Sequence, residues 1–189
     1  MSLVQIAPVG LLLLLALALA AAAIQDAAMM RIANLLSLAV LLLGLAAMVL
    51  HGFAWPMWQN GALFLGLLLL GTAAFATGNL GGGDVKLLAA LGLWFNFRDA
   101  VLLVIAVTIA GGLLALLMII GRRLVARVRK RPARRGMIPY GIAIAAGAAF
   151  VMGGQYRARV ALTDPLHNLP SFEGPSVASP AGSQPPARL

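Results

Sequence analysis

Residues 78–97 read Gly78-Asn79-Leu80-Gly81-Gly82-Gly83-Asp84-Val85-Lys86-Leu87-Leu88-Ala89-Ala90-Leu91-Gly92-Leu93-Trp94-Phe95-Asn96-Phe97. Whether the apolar part of this stretch, residues 85–97, crosses a membrane decides the fold. About 20 residues of helix span a hydrocarbon core roughly 30 Å thick, and residues 85–97 cover only about 20 Å at about 1.5 Å rise per residue. On either side lie five longer charge-free apolar stretches, residues 6–24, 33–50, 61–76, 100–121 and 137–154. Each becomes a full span once its flanks are added. The chain of 189 residues is 62% hydrophobic and only 10% charged. A soluble domain is about 45–50% apolar and about 25% charged, so a soluble globular enzyme and a disordered chain are both excluded.

Charge placement settles the parity. Eight of the fourteen Lys and Arg residues lie between Arg122 and Arg135. A short basic run between apolar stretches reads as a cytoplasmic loop, and nucleic acid is not expected as a partner. Arg31 belongs on the same side, and with both termini outside this requires the short segment to cross. The expectation is an all-α, polytopic integral membrane protein of six transmembrane helices, the fourth of them short. Ten basic residues then face inwards and four (Arg98, Arg157, Arg159, Arg188) outwards. Residues 1–154 form the transmembrane domain. Residues 155–189, which hold six of the ten prolines at 165–186, form a disordered extracytoplasmic tail. The first apolar stretch is not read as a cleaved signal, because no Lys or Arg precedes Arg31.

The chain has five acidic residues, and this topology leaves Asp26 and Asp84 as the carboxylates at the cytoplasmic end. If Trp94, Phe95 and Phe97 anchor the outer end of the short helix at the interface, its inner end stops about 10 Å short of the other surface, given a core of about 30 Å. Asp84 then sits below the membrane surface, where an ionisable group marks a functional site by default. The glycine-rich approach, Gly81, Gly82 and Gly83, lines a wet or protein-walled cavity, since backbone exposed to lipid goes unpaired. Glycines also let another chain pass close by. Two carboxylates a few ångströms apart share one proton, so one deprotonates a water while the other protonates a carbonyl oxygen and then a leaving amine. Peptide hydrolysis suits such a pair. Each residue alone has a plainer reading: Asp26 as a solvated helix boundary, Asp84 as a helix cap. Lys86 and Arg31 are candidate substrate or interface contacts, Lys86 snorkelling from another side of its helix than Asp84. His51, beside Trp55 and Trp58, belongs to an interfacial belt. Asn34, Ser37, Thr72 and Thr108 read as hydrogen bonders between helices. The chain has no cysteine and two histidines, so no metal or cofactor is expected.

At Gly81-Gly82-Gly83-Asp84-Val85-Lys86-Leu87 the chain resembles the type IV prepilin peptidases, membrane aspartyl proteases marked by Gly-x-Gly-Asp. Asp26 with Arg31-Ile32-Ala33-Asn34 is similar to that family's first-aspartate segment, with Ala33 in place of its proline. Ile138-Pro139-Tyr140-Gly141 opens the last span as in the family. The resemblance implies a peptidase in the bacterial inner membrane that removes the leader from pilin precursors at the cytoplasmic face, with Asp26 and Asp84 as the catalytic pair. The length and the lack of cysteine resemble the short peptidase-only branch of Flp/Tad pili, with Flp-type pilin precursors and pseudopilins as substrates and no methyltransferase activity. A proton-coupled transporter using Asp84 as a relay, or a noncatalytic pilus-assembly subunit, are the alternatives.

Overall fold

The computed structural model describes residues 2–52, 55–78, 80–129 and 139–163. Among the described residues every regular element is a helix and none is a strand: α1 (Leu3–Ile6), α2 (Val9–Met29), α3 (Asn34–His51), a 3-10 turn (Trp55–Met57), α4 (Trp58–Ala76), α5 (Gly82–Gly92), α6 (Phe97–Arg129) and α7 (Tyr140–Thr163). Four helical stretches are long and apolar enough to cross a membrane: Val9–Met29, Asn34–His51, Trp55–Ala76 and Phe97–Gly121. At 11 residues α5 is too short to count among them. Although α7 has 24 residues, its second half carries Gln155, Arg157 and Arg159.

Several boundaries differ from the hydropathy reading. The first apolar stretch is broken at Ala7-Pro8, because proline fixes its own φ and lacks an N–H, so α2 starts at Val9 and continues past Ile24 to Met29. It stops at Met30, whose N–H still donates to the Asp26 carbonyl at 2.8 Å while its left-handed φ of 54° turns the following chain out of the helix. The short helix is shifted towards its glycines. Gly82 and Gly83 form its first turn, leaving only Gly81 of the three outside it, and it ends at Gly92. At the other end α7 runs beyond Gly154 to Thr163, so residues 155–163 are helical. The basic run continues α6 through Arg129; its remainder, together with Ile138 and the tail from residue 164, lies outside the described residues.

Lipid is as apolar as the side chains it meets, so helices in a bilayer associate by close packing and internal hydrogen bonds. Glycine supplies the packing here. A Cβ on Gly71 of α4 would come within 2.7 Å of Val85, and one on Gly92 of α5 within 2.9 Å of Leu67, which fixes α4 and α5 side by side. Gly147 of α7 takes Val107 of α6 in the same way, and Gly44 of α3 takes Leu93 and Trp94. α5 is consequently the buried centre, packed against α4, α3 and α7, while α2 closes onto α3 and α7.

Trp94 and Phe95 overturn an expectation. They are not an interfacial anchor but are fully buried, at 0% exposure. The Trp94 indole N–H donates to the Val40 carbonyl at 3.1 Å, and the buried Asn60 Nδ2 donates to the carbonyls of Leu93 (2.8 Å) and Phe95 (3.2 Å). Neighbouring side chains thus satisfy the backbone that leaves α5 inside the bundle. Among the described residues Phe97, Trp55, Trp58 and Tyr156 are exposed aromatics at this end.

Candidate active site

Three helix ends meet around Ile32, in the linker between α2 and α3. A Cβ on Gly83, in the first turn of α5, would stand 3.0 Å from the Ile32 carbonyl oxygen and 3.1 Å from its Cβ. One on Gly141, at the start of α7, would stand 2.8 Å from Ile32 Cδ1 and 2.9 Å from Asp26 Oδ2. Asp26, one turn before the end of α2, and Asp84, in the first turn of α5, are therefore gathered on one side of the bundle. Both side chains are buried, at 4% and 8% exposure.

Each carboxylate is held by one backbone amide. Asp26 Oδ2 accepts from the Gly141 N–H at 2.6 Å, and Asp84 Oδ2 accepts from the Gly81 N–H at 3.2 Å. The second bond is the acidic half of a capping box, in which the third residue of a helix reaches back to the amide that precedes it. Asp84 thus does cap α5, but that role uses one oxygen. Its Oδ1 is buried with no hydrogen-bond partner. A buried carboxylate oxygen left without a partner costs free energy, and it retains the capacity to accept a hydrogen bond.

The linker is itself restrained. The Ala33 N–H donates to Gln25 Oε1 at 2.9 Å, and Lys86 Nζ donates to Asn34 Oδ1 at 2.9 Å. Lys86 is exposed and pairs across to the start of α3 rather than with a carboxylate, and Arg31 is exposed as well. No hydrogen bond or ion pair joins either cation to Asp26 or Asp84. Asn34 bridges two helices as its type suggested, whereas Thr72 and Thr108 bond back to Leu68 and Val104 within their own helices, and the Ser37 hydroxyl is buried without a partner. Among the described residues no group of three or more His, Asp or Glu could hold a metal ion.

Two participants were not assigned a role from sequence. The Gly141 amide acts through its backbone, which carries no compositional signature, and Ile32 acts through its position between two glycines. Only their place in the segments Arg31-Ile32-Ala33-Asn34 and Ile138-Pro139-Tyr140-Gly141 pointed towards them.

No curated protein and no solved structure matches the chain. The profile of the type IV leader peptidase family matches residues 13–116, more than half of the chain, a stretch that contains both Asp26 and Asp84 and runs from α2 into α6. That family implies an aspartic-type prepilin leader peptidase in a membrane, and with this match over helices whose ends gather two buried carboxylates, the chain belongs to the type IV leader peptidase family.

Proposed function

We propose that Asp26 and Asp84 are the catalytic pair of a peptidase that removes the leader of Flp/Tad-type prepilins and pseudopilins at the cytoplasmic face of the bacterial inner membrane. In this reading α5 and α7 cross with the four longer spans, six in all, both termini are extracytoplasmic, and the new amino terminus is left unmethylated. The observation that carries it is the convergence of α2, α5 and α7 on Ile32, which brings the buried Asp26 and Asp84 to one end of the bundle, with Asp84 Oδ1 lacking a hydrogen-bond partner.

In the proposed reaction one carboxylate takes a proton from a water whose oxygen adds to the scissile carbonyl carbon, while the other gives its proton to the carbonyl oxygen. The tetrahedral adduct then collapses as the C–N bond breaks: the proton taken from water passes to the leaving amine, and a hydroxyl proton of the adduct returns to the second carboxylate, which restores the pair. The amides of Gly141 and Gly81 fix the two carboxyl groups before substrate arrives, which is where most of the rate gain in such a site originates. The test is coexpression with candidate precursors, with the mature amino terminus read by mass spectrometry. Asp26→Asn and Asp84→Asn should each leave the protein inserted and reduce leader removal by at least about 10³-fold. Normal processing by either variant refutes the assignment.

A further inference from the structure

Gln25 lies one residue before Asp26, and Gly83 one residue before Asp84. A single peptide unit of the α2–α3 linker, the bond joining Ile32 to Ala33, stands between them. Its N–H donates to Gln25 Oε1 at 2.9 Å, and its carbonyl oxygen lies against Gly83, where an added Cβ would stand 3.0 Å away. A trans peptide is planar with its N–H and C=O on opposite edges, and the described chain has no cis bond. Whatever fixes this plane therefore fixes how the start of α5 stands relative to the end of α2. Lys86 Nζ donates to Asn34 Oδ1 at 2.9 Å, which ties the next part of the linker to α5 as well.

The Ala33 N–H has no place in the hydrogen-bond ladder of α3. It precedes that helix, in which the Ala33 carbonyl accepts from the Leu36 N–H at 3.0 Å. Gln25, half-buried on α2, supplies the missing partner. Apart from that bond, the plane is set by the torsions on either side, the ψ of Ile32 and the φ of Ala33. The latter is −65°, the value that a proline ring enforces. A proline at position 33 would thus hold by covalent restraint what Gln25 holds by a hydrogen bond. We propose that Gln25 is a positioning residue, which orients the Ile32–Ala33 peptide between α2 and α5 and so sets the spacing of Asp26 and Asp84. The proposal rests on the peptidase reading of that pair.

The test is a rescue. Gln25→Leu keeps the bulk and removes the acceptor. Measured per folded protein, kcat for leader removal should fall about tenfold with KM within about twofold, since a small displacement of the pair acts after substrate is bound. Adding Ala33→Pro should return kcat to within about threefold of wild type, a coupling between two sites that independent losses would not show. The chain contains no cysteine, so spin labels at Ala27→Cys and Ala76→Cys read the same spacing without activity, from the exposed ends of α2 and of α4, which packs on α5 through Gly71 and Val85. Their distance distribution should broaden in Gln25→Leu and narrow again in the double variant. Wild-type kcat in Gln25→Leu, or a double variant as slow and as broad as the single one, overturns the proposal. Should Gln25→Leu not accumulate in the membrane, the double variant decides alone: accumulation with kcat recovered to that level supports the role of Gln25, and anything less overturns it. Should the wild type cleave no precursor, the peptidase reading falls, while the spin labels still decide whether Gln25 sets the spacing.

Discussion

At Gly141 a single backbone amide carries the geometry of one carboxyl group. The Gly141 N–H reaches Asp26 Oδ2 at 2.6 Å, and the absence of a side chain there is what allows the approach, because a Cβ would stand 2.9 Å from that oxygen and 2.8 Å from Ile32 Cδ1. Gly141→Ala should therefore push Asp26 away from Asp84 without disturbing insertion. Displacing a catalytic group by about 1 Å costs on the order of 10²-fold, so kcat/KM for leader removal should fall by about that factor at unchanged protein level in the membrane. Activity within twofold of wild type would show that Asp26 is not held through this amide. Gly83→Ala crowds the Ile32 carbonyl at 3.0 Å and should act in the same direction, more weakly, because the neighbour sits on a linker. The acids themselves were legible in the sequence, since five carboxylates in so apolar a chain leave few candidates. Their amide partners were not, because a donor that every residue possesses has no signature in composition.

Among the elements, α5 depends most on its surroundings. Its 11 residues cover about 16 Å at about 1.5 Å per residue, well short of a bilayer core, so the chain that leaves it must find hydrogen bonds within the protein. Asn60 of α4 supplies them to the carbonyls of Leu93 and Phe95 from a position with 0% exposure. Asn60→Leu keeps the volume and removes the donors, and it should destabilise the solubilised protein by about 1–2 kcal/mol, the cost of orphaning buried carbonyls in an apolar setting. With Trp55 and Trp58 replaced by Phe, the midpoint of denaturation followed by the fluorescence of the buried Trp94 should drop accordingly, and an unchanged midpoint would mean that these carbonyls find other partners. That a short helix opens near Asp84 was readable from Gly81-Gly82-Gly83-Asp84; its bounds were not, since Gly82 and Gly83 belong to its first turn and it ends at Gly92. The fate of Trp94 and Phe95 was not, because an aromatic beside a helix end serves an interfacial ring as readily as a core. The difference lies in Gly44, which makes room for the Trp94 indole ring and stands 50 positions away in sequence.

For the whole molecule, α6 sets the depth of the site. Gly111 of α6 lies against Tyr140, next to the residue that holds Asp26, so the carboxylates are level with the middle of α6. The apolar part of α6 continues to Gly121, about 15 Å farther at about 1.5 Å per residue, before Arg122 and Arg123 begin the basic run. If Arg122 marks the cytoplasmic surface, as the proposed topology has it, carboxylates at that level lie beneath that surface by up to that distance, less whatever α6 tilts. This geometry requires α4, α5, α6 and α7 to run alternately, which places His51 and Tyr156 at one end of the bundle and Arg123 at the other. The chain contains no cysteine, so single-cysteine variants at these three exposed positions report on sidedness without background. In intact spheroplasts a membrane-impermeant maleimide should label His51→Cys and Tyr156→Cys and spare Arg123→Cys, which should react only after permeabilisation. If α5 failed to cross, α6 would run in the opposite sense and Arg123→Cys would label from outside together with His51→Cys. That pattern would place the basic run in the extracytoplasmic space, against the positive-inside bias, and would end the six-span arrangement on which a cytoplasmic-side peptidase depends.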